Sequence, residues 1–119
     1  MHEVSVARNI MEIVVGSVPC ESLSSVRTVR VKVGDSSGVM PDALLFSFEA
    51  LVQETPLLLA RLVIDHVPFS IRCKTCGLVS TDAGGMAICH ACGSPKAEIL
   101  SGTELEVTEV ELSDEEVLT

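Results

Sequence analysis

Cys73-Lys74-Thr75-Cys76 and Cys89-His90-Ala91-Cys92 are two C-x2-C pairs, with the twelve residues 77 to 88 between them. Two such knuckles can set four thiolates around one Zn²⁺ in a tetrahedron. Gly77 and Gly93 follow the second cysteine of each pair. A residue without a Cβ lets the backbone turn tightly there, so that N–H groups can reach the sulfurs. Cys73, Cys76, Cys89 and Cys92 are therefore the expected zinc ligands. A closed four-thiolate site leaves no open position on the metal, which argues for folding a turn-rich segment and against catalysis. An iron–sulfur centre or a dithiol redox pair are the other uses of such cysteines. A redox C-x-x-C normally opens a helix after a strand, and two copies are not expected. His66 and His90 flank the unit as accessory-ligand candidates, although an exposed or hydrogen-bonded histidine is the simpler reading of each. The fifth cysteine, Cys20, follows Pro19 in a loop and reads as a small residue without a chemical role.

Outward from the knuckles the pattern becomes regular. Residues 59 to 67 read as a strand that Pro68 ends, with Leu62 and Ile64 on one face. Residues 102 to 112 read as another. There Leu105 and Val107 share one parity and Val110 and Leu112 the other, so a bulge near Thr108-Glu109 is expected. The cysteine unit thus lies between two strands. A first strand is expected at 26 to 33, where Val29, Val31 and Val33 alternate with Arg30 and Lys32. Before it, residues 4 to 18 read as an amphipathic helix with a stripe of Val4, Ala7, Met11, Val14 and Val18 and with Ser5 as its N-cap. Ser22 to Ser25 read as a loop. After the turn at 34 to 38, Pro41 fits the first position of a second helix and Asp42 its positive end. Leu44, Leu45, Phe48, Leu51 and Val52 form its apolar stripe. Thr55-Pro56 stops it near Gln53.

The chain has 119 residues and a formal net charge of −9, with 47% hydrophobic residues and only three aromatics, all Phe. The core must be aliphatic. The acidic balance argues against a nucleic-acid binder and against an anionic membrane surface. Only Arg72, Lys74 and Lys96 lie near the cysteines. No stretch reaches the roughly 20 apolar residues that span a bilayer. The start carries neither a basic region nor an apolar run, which points to the cytoplasm, where thiols stay reduced. No nucleophile–base pair and no phosphate loop is evident, Gly84-Gly85 being too little, so an enzyme is not expected. From residue 101 onward there are seven acidic residues and no Lys or Arg. That reads as a solvated face and a frayed end, or as a dock for a basic partner. Ser113 and Glu116 fit a capping box with too little chain behind it to matter.

Met1-His2-Glu3 is short but chemically specific. An α-amine, the amide nitrogen of residue 2 and the imidazole of His2 can close consecutive chelate rings, with Glu3 or nearby backbone as a fourth donor. A nitrogen-rich tetragonal set suits Ni²⁺ or Cu²⁺. Taken alone, a surface histidine near the chain start is the simpler reading.

The combination resembles the HypA/HybF family of hydrogenase nickel-insertion proteins. Met-His-Glu-Val-Ser-Val-Ala at 1 to 7 is similar to the family's start. Val31 to Gly34 followed by Pro41-Asp42-Ala-Leu-Leu-Phe-Ser-Phe48-Glu49 looks like its V-x-V-G…P-[ED]-x-L-x-F-x-F-E. The cysteine spacing agrees, as does Cys92-Gly-Ser, Glu98-Ile99 and the run Gly102 to Glu111. The resemblance covers nearly the whole chain. It implies an α+β fold of two helices on a three-stranded sheet, residues 1–67 and 100–119, which binds nickel, with a zinc-ribbon-like four-cysteine domain inserted at residues 68–99. It implies that Met1, His2 and Glu3 bind Ni(II), His2 being indispensable, and that Zn(II) is structural. It implies a nickel metallochaperone of [NiFe]-hydrogenase maturation. Its partners would be a HypB-type GTPase, the hydrogenase large subunit and, in some bacteria, a UreE-type urease chaperone, with no nucleic acid and no membrane. Two positions depart from the family pattern. Cys89-His90-Ala91-Cys92 lacks the Pro that commonly follows the first cysteine, and Asp42 stands where Glu is common. The competing reading is a zinc-stapled adaptor for protein or nucleic acid, without nickel.

Overall fold

The computed structural model describes residues 2–81, 87–89 and 91–113, except the side chain of His2. The fold is α+β. In chain order it runs α1 (His2–Ser17), a short 3-10 helix (Cys20–Ser25), β1 (Val26–Gly34), α2 (Pro41–Leu51), β2 (Arg61–Val67), β3 (Ser70–Cys73), β4 (Val79–Thr81), β5 (Ala97–Ser101) and β6 (Leu105–Leu112). Two three-stranded sheets result, of order β2-β1-β6 and β4-β3-β5. By contact density the chain divides into one unit of 1–31, 39–65 and 106–119, and a second of 32–38 and 66–105.

In the first unit α1 and α2 pack against each other. Ala7, Ile10 and Val14 of α1, Leu44 and Phe48 of α2, and Val29 and Val31 of β1 are buried. The stripe of α1 differs from the expected one. It runs Glu3-Ala7-Ile10-Val14 and on to Val18, whereas Val4 is 48% exposed and Met11 is half-buried. A helix rich in Val and Ile offers two overlapping stripes, and the winner is the one that also buries Glu3, whose carboxylate finds a partner. Ser5 lies inside the helix, so it is no N-cap. Residues 22–25 are helical where a loop was expected, because Leu23 and Ser25 turn inward.

Pro41 does open α2, after an N-cap at Met40, and the helix ends with Val52 as its C-cap. Pro supplies a fixed φ and lacks only an N–H that has no intrahelical partner at that position. On the three-stranded sheet Arg30 pairs with Asp65 at 3.1 Å and faces Glu109 at 3.6 Å, so one guanidinium spans β2, β1 and β6. All three groups are 40–50% exposed, and the pairs set register more than they add stability. On β6 the half-buried positions are Val107 and Val110, three apart, which departs from strict alternation as the parity change anticipates.

In the second unit β3 is the central strand and pairs antiparallel with both neighbours. Its register with β5 slips between Ser70 and Ile71: Ser70 faces Ser101 and Ile71 faces Ile99. Phe69 and Ile71 are its small core, with Ala87 and Ala97 against them. These three short strands were not foreseen. The turn after β1 is held by the chain around residue 102: Gly34 N–H donates to the Glu104 carbonyl at 2.7 Å and Ser36 N–H to the Gly102 carbonyl at 2.7 Å.

Candidate metal centres

The second unit brings its four cysteines together. The sulfurs of Cys73, Cys76, Cys89 and Cys92 all lie within 4.8 Å of one another. Each pair sits in the same turn. Cys73 N–H donates to the Leu78 carbonyl and Gly77 N–H to the Cys73 carbonyl, both at 2.9 Å. Cys89 N–H donates to the Ser94 carbonyl at 3.0 Å and Gly93 N–H to the Cys89 carbonyl at 2.9 Å. Gly77 and Gly93 have φ of 79° and 73°, the left-handed turn that a Cβ resists. No atom crowds either position, so backbone angle alone calls for glycine. β3 delivers Cys73 at its last residue. Across the knuckles the Thr75 and Ser94 hydroxyls bond at 2.9 Å, and Lys74 N–H donates to the Lys96 carbonyl at 2.8 Å.

The donor set fits tetrahedral zinc. A zinc–sulfur distance of about 2.3 Å puts the sulfurs of a tetrahedron about 3.8 Å apart. Cys73 to Cys92 and Cys76 to Cys89 are each 3.6 Å. The polypeptide also prepares the charges. The N–H groups of Cys76 and Thr75 point at the Cys73 sulfur and hold its thiol down to about 6, against 9.0. Those of Cys92 and Ala91 lower Cys89 likewise. The Ser94 N–H pulls Cys92 down, but the Cys73 sulfur and burial outweigh it and push the thiol up to about 11. The Leu78 N–H likewise fails to offset the Cys89 and Cys73 sulfurs, and the Cys76 thiol rises. Crowded thiols that cannot all ionise together are what a divalent cation relieves.

His66 is exposed on β2 and is not in this group; His90 lies outside the described residues, as do Met1, the Gly84-Gly85 step, Asp114, Glu115 and Glu116. Cys20 is exposed at the start of the 3-10 helix.

The first unit carries the other candidate. α1 begins at His2, and Glu3 in its first turn is only 8% exposed. The Glu3 carboxylate accepts the Met40 N–H, and that bond is the largest of the contacts that hold its carboxyl down to about 2 from 4.5. Met40 was not anticipated as a partner. The available signal was an N-cap position with no polar side chain of its own before Pro41.

Comparison with known proteins covers nearly the whole chain. A family model described as "Hydrogenase/urease nickel incorporation, metallochaperone, hypA" matches residues 1–112. The chain is 39% identical to the hydrogenase maturation factor HypA of Desulfosudis oleivorans over 115 residues, 96% of this chain and 100% of that one. It is 40% identical to that of Geobacter metallireducens over 115 residues, 94% of this chain and 99% of that one. In fold it is similar to the solution structure of the Ni metallochaperone HypA from Helicobacter pylori, with a TM-score of 0.64, 22% identity and coverage of 93% of this chain and 97% of that one. A second HypA solution structure aligns with a TM-score of 0.66 and 24% identity, covering 94% of this chain and 96% of that one. With the four-sulfur cluster and the Met-His-Glu start inside the matched span, the chain belongs to the HypA family of nickel-incorporation metallochaperones.

Proposed function

We propose that this protein carries Ni(II) to [NiFe]-hydrogenase during its maturation, that it does so in the cytoplasm, and that it catalyses no reaction of its own. The observation that carries this reading is the family match across residues 1–112, which takes in both metal motifs. Met1, His2 and Glu3 bind the cargo in the nickel-binding part, residues 1–67 and 100–119. Residues 68–99 form a zinc domain in which Cys73, Cys76, Cys89 and Cys92 hold structural Zn(II). His90 and His66 remain accessory candidates. The partners are a HypB-type GTPase and the hydrogenase large subunit, and a UreE-type chaperone where urease is also served.

Cargo delivery needs capture and release at one site. A backbone amide nitrogen must lose its proton to bind nickel, so binding is strong at neutral pH, and acid or competition for the α-amine reverses it. Zinc supplies a crosslink between the two knuckles.

The test is calorimetric and spectroscopic nickel titration of untagged, zinc-loaded protein beside His2→Ala. The expected result is one tight nickel per chain with a square-planar absorption band, lost in the variant while zinc content and fold persist. Equal binding by the variant overturns the N-terminal site. No binding by the parent overturns the nickel function and leaves a zinc-stapled adaptor.

A further inference from the structure

The four thiols are not equivalent. Cys73 and Cys89, the first cysteine of each knuckle, are buried; Cys76 and Cys92, the second, are exposed. The backbone adds to this at Cys73. The Cys73 sulfur accepts the N–H of Thr75 at 3.3 Å and that of Cys76 at 3.4 Å. Cys89 sits in the matching turn, where Gly93 N–H closes on its carbonyl at 2.9 Å as Gly77 N–H does on that of Cys73. An amide hydrogen bond draws density from a thiolate lone pair, and burial closes the line of approach to a reagent. Both effects protect the Cys73 sulfur, and burial protects that of Cys89. The close contacts run between knuckles, Cys73 to Cys92 and Cys76 to Cys89, each 3.6 Å. Each knuckle therefore holds one protected and one open sulfur.

We propose that Cys76 and Cys92 are the exchangeable half of the metal site, where soft electrophiles and competing thiolate ligands meet it first, while Cys73 and Cys89 are the retaining half. The proposal rests on the zinc reading above. Its consequence is a direction: zinc is loaded and removed through the Cys76 and Cys92 side, and an incoming ligand displaces one of these two sulfurs before either of the others. With maleimide as the electrophile, the Sγ lone pair of Cys76 or Cys92 forms a C–S bond to an alkene carbon. The alkene π pair moves to the neighbouring carbon and takes a proton from water. The product thioether is a poor zinc donor, so the metal–sulfur bond breaks.

The experiment uses the full chain, saturated with zinc and with its metal content measured. It is treated with limiting N-ethylmaleimide, sampled over time and mapped by fragment-ion mass spectrometry, while a chromogenic chelator follows zinc release. Cys20, exposed and outside the cluster, is the internal standard for an uncoordinated thiol. Cys76 and Cys92 are expected to react about tenfold faster than Cys73 and Cys89, with zinc release in step with them. In guanidinium and chelator the four rates should converge. Equal rates in the folded protein, or Cys73 or Cys89 reacting first, overturn the proposal. So does an ordering that survives denaturation, because it then belongs to the local sequence and not to the site. Failure to take up zinc at all overturns the zinc reading and this proposal together. Zinc uptake without the ordering overturns the proposal alone.

Discussion

The Glu3 carboxylate accepts the backbone N–H of Met40 at 3.0 Å, across 37 residues of sequence. Met40 is the N-cap of α2, and its own side chain makes no capping bond. The first turn of α1 thus supplies the anionic acceptor at the start of α2, where the helix dipole also favours negative charge. The Met40 N–H leads the causes that hold Glu3 at about 2, against 4.5. A carboxyl depressed in the folded state contributes stability above its unfolded value and loses it as pH falls through the folded one. The contribution is therefore complete above 4.5 and drains between there and about 2. Glu3→Ala is expected to melt a few degrees below the parent at neutral pH, and the gap should close through that window. Glu3→Gln keeps a carbonyl acceptor and should fall between the two. Thermal melts of the three proteins against pH check this, and a gap that does not change with pH counts against it.

Most of this fold was legible because its elements announce themselves by period and punctuation. β1 alternates Val29, Val31 and Val33, all buried, with Arg30 and Lys32, and Pro41 opens α2 as a Pro at that position should. The cysteine spacing gave the four-sulfur cluster directly. What escaped was decided by tertiary context. On α1 Ala7, Val14 and Val18 are buried as expected, but Glu3 and Ile10 take the burial expected of Val4 and Met11, and the Glu3–Met40 bond that accompanies this joins residues 37 apart. The strands β3, β4 and β5 have only four, three and five residues, too few for a period to show. They exist because the knuckles fix their ends.

Two glycines should respond in opposite ways to the same substitution. A Cβ on Gly34 would run into the carbonyl carbon and oxygen of Gly102, backbone against backbone. Gly34→Ala must part the chain there and is expected to cost about 2–4 kcal/mol. Gly16, in α1, has nothing within 4 Å of the added atom. Gly16→Ala should stabilise by about 0.5 kcal/mol through the unfolded chain's lost freedom. Denaturant melts at constant m-value distinguish the two signs, and a stable Gly34→Ala would mean that the turn relaxes freely.

Zinc uptake should release fewer protons than there are thiols. Cys73, held down to about 6, is already mostly thiolate at neutral pH, whereas Cys92, pushed up to about 11, still carries its proton. Calorimetry in buffers of different ionisation enthalpy should therefore give a proton count below four at pH 7, rising as the pH is lowered through 6. A count of four at pH 7 would show that the amides of Cys76 and Thr75 do not act on Cys73.

The nickel reading makes a demand on the chain start that a surface histidine would not. If the α-amine is a donor, one extra residue ahead of Met1 moves that amine out of the chelate ring while leaving His2 and Glu3 in place. Nickel affinity should then fall at least about a hundredfold, about 2.7 kcal/mol. Zinc content should be unchanged, because all four cysteines lie far along the sequence from the addition. His2→Ala removes the imidazole and should match that loss. The two changes combined should cost little more than either alone, since both dismantle one chelate. Additive losses would instead point to two separate weak sites, and unchanged affinity in the extended protein would move the nickel site away from the α-amine altogether.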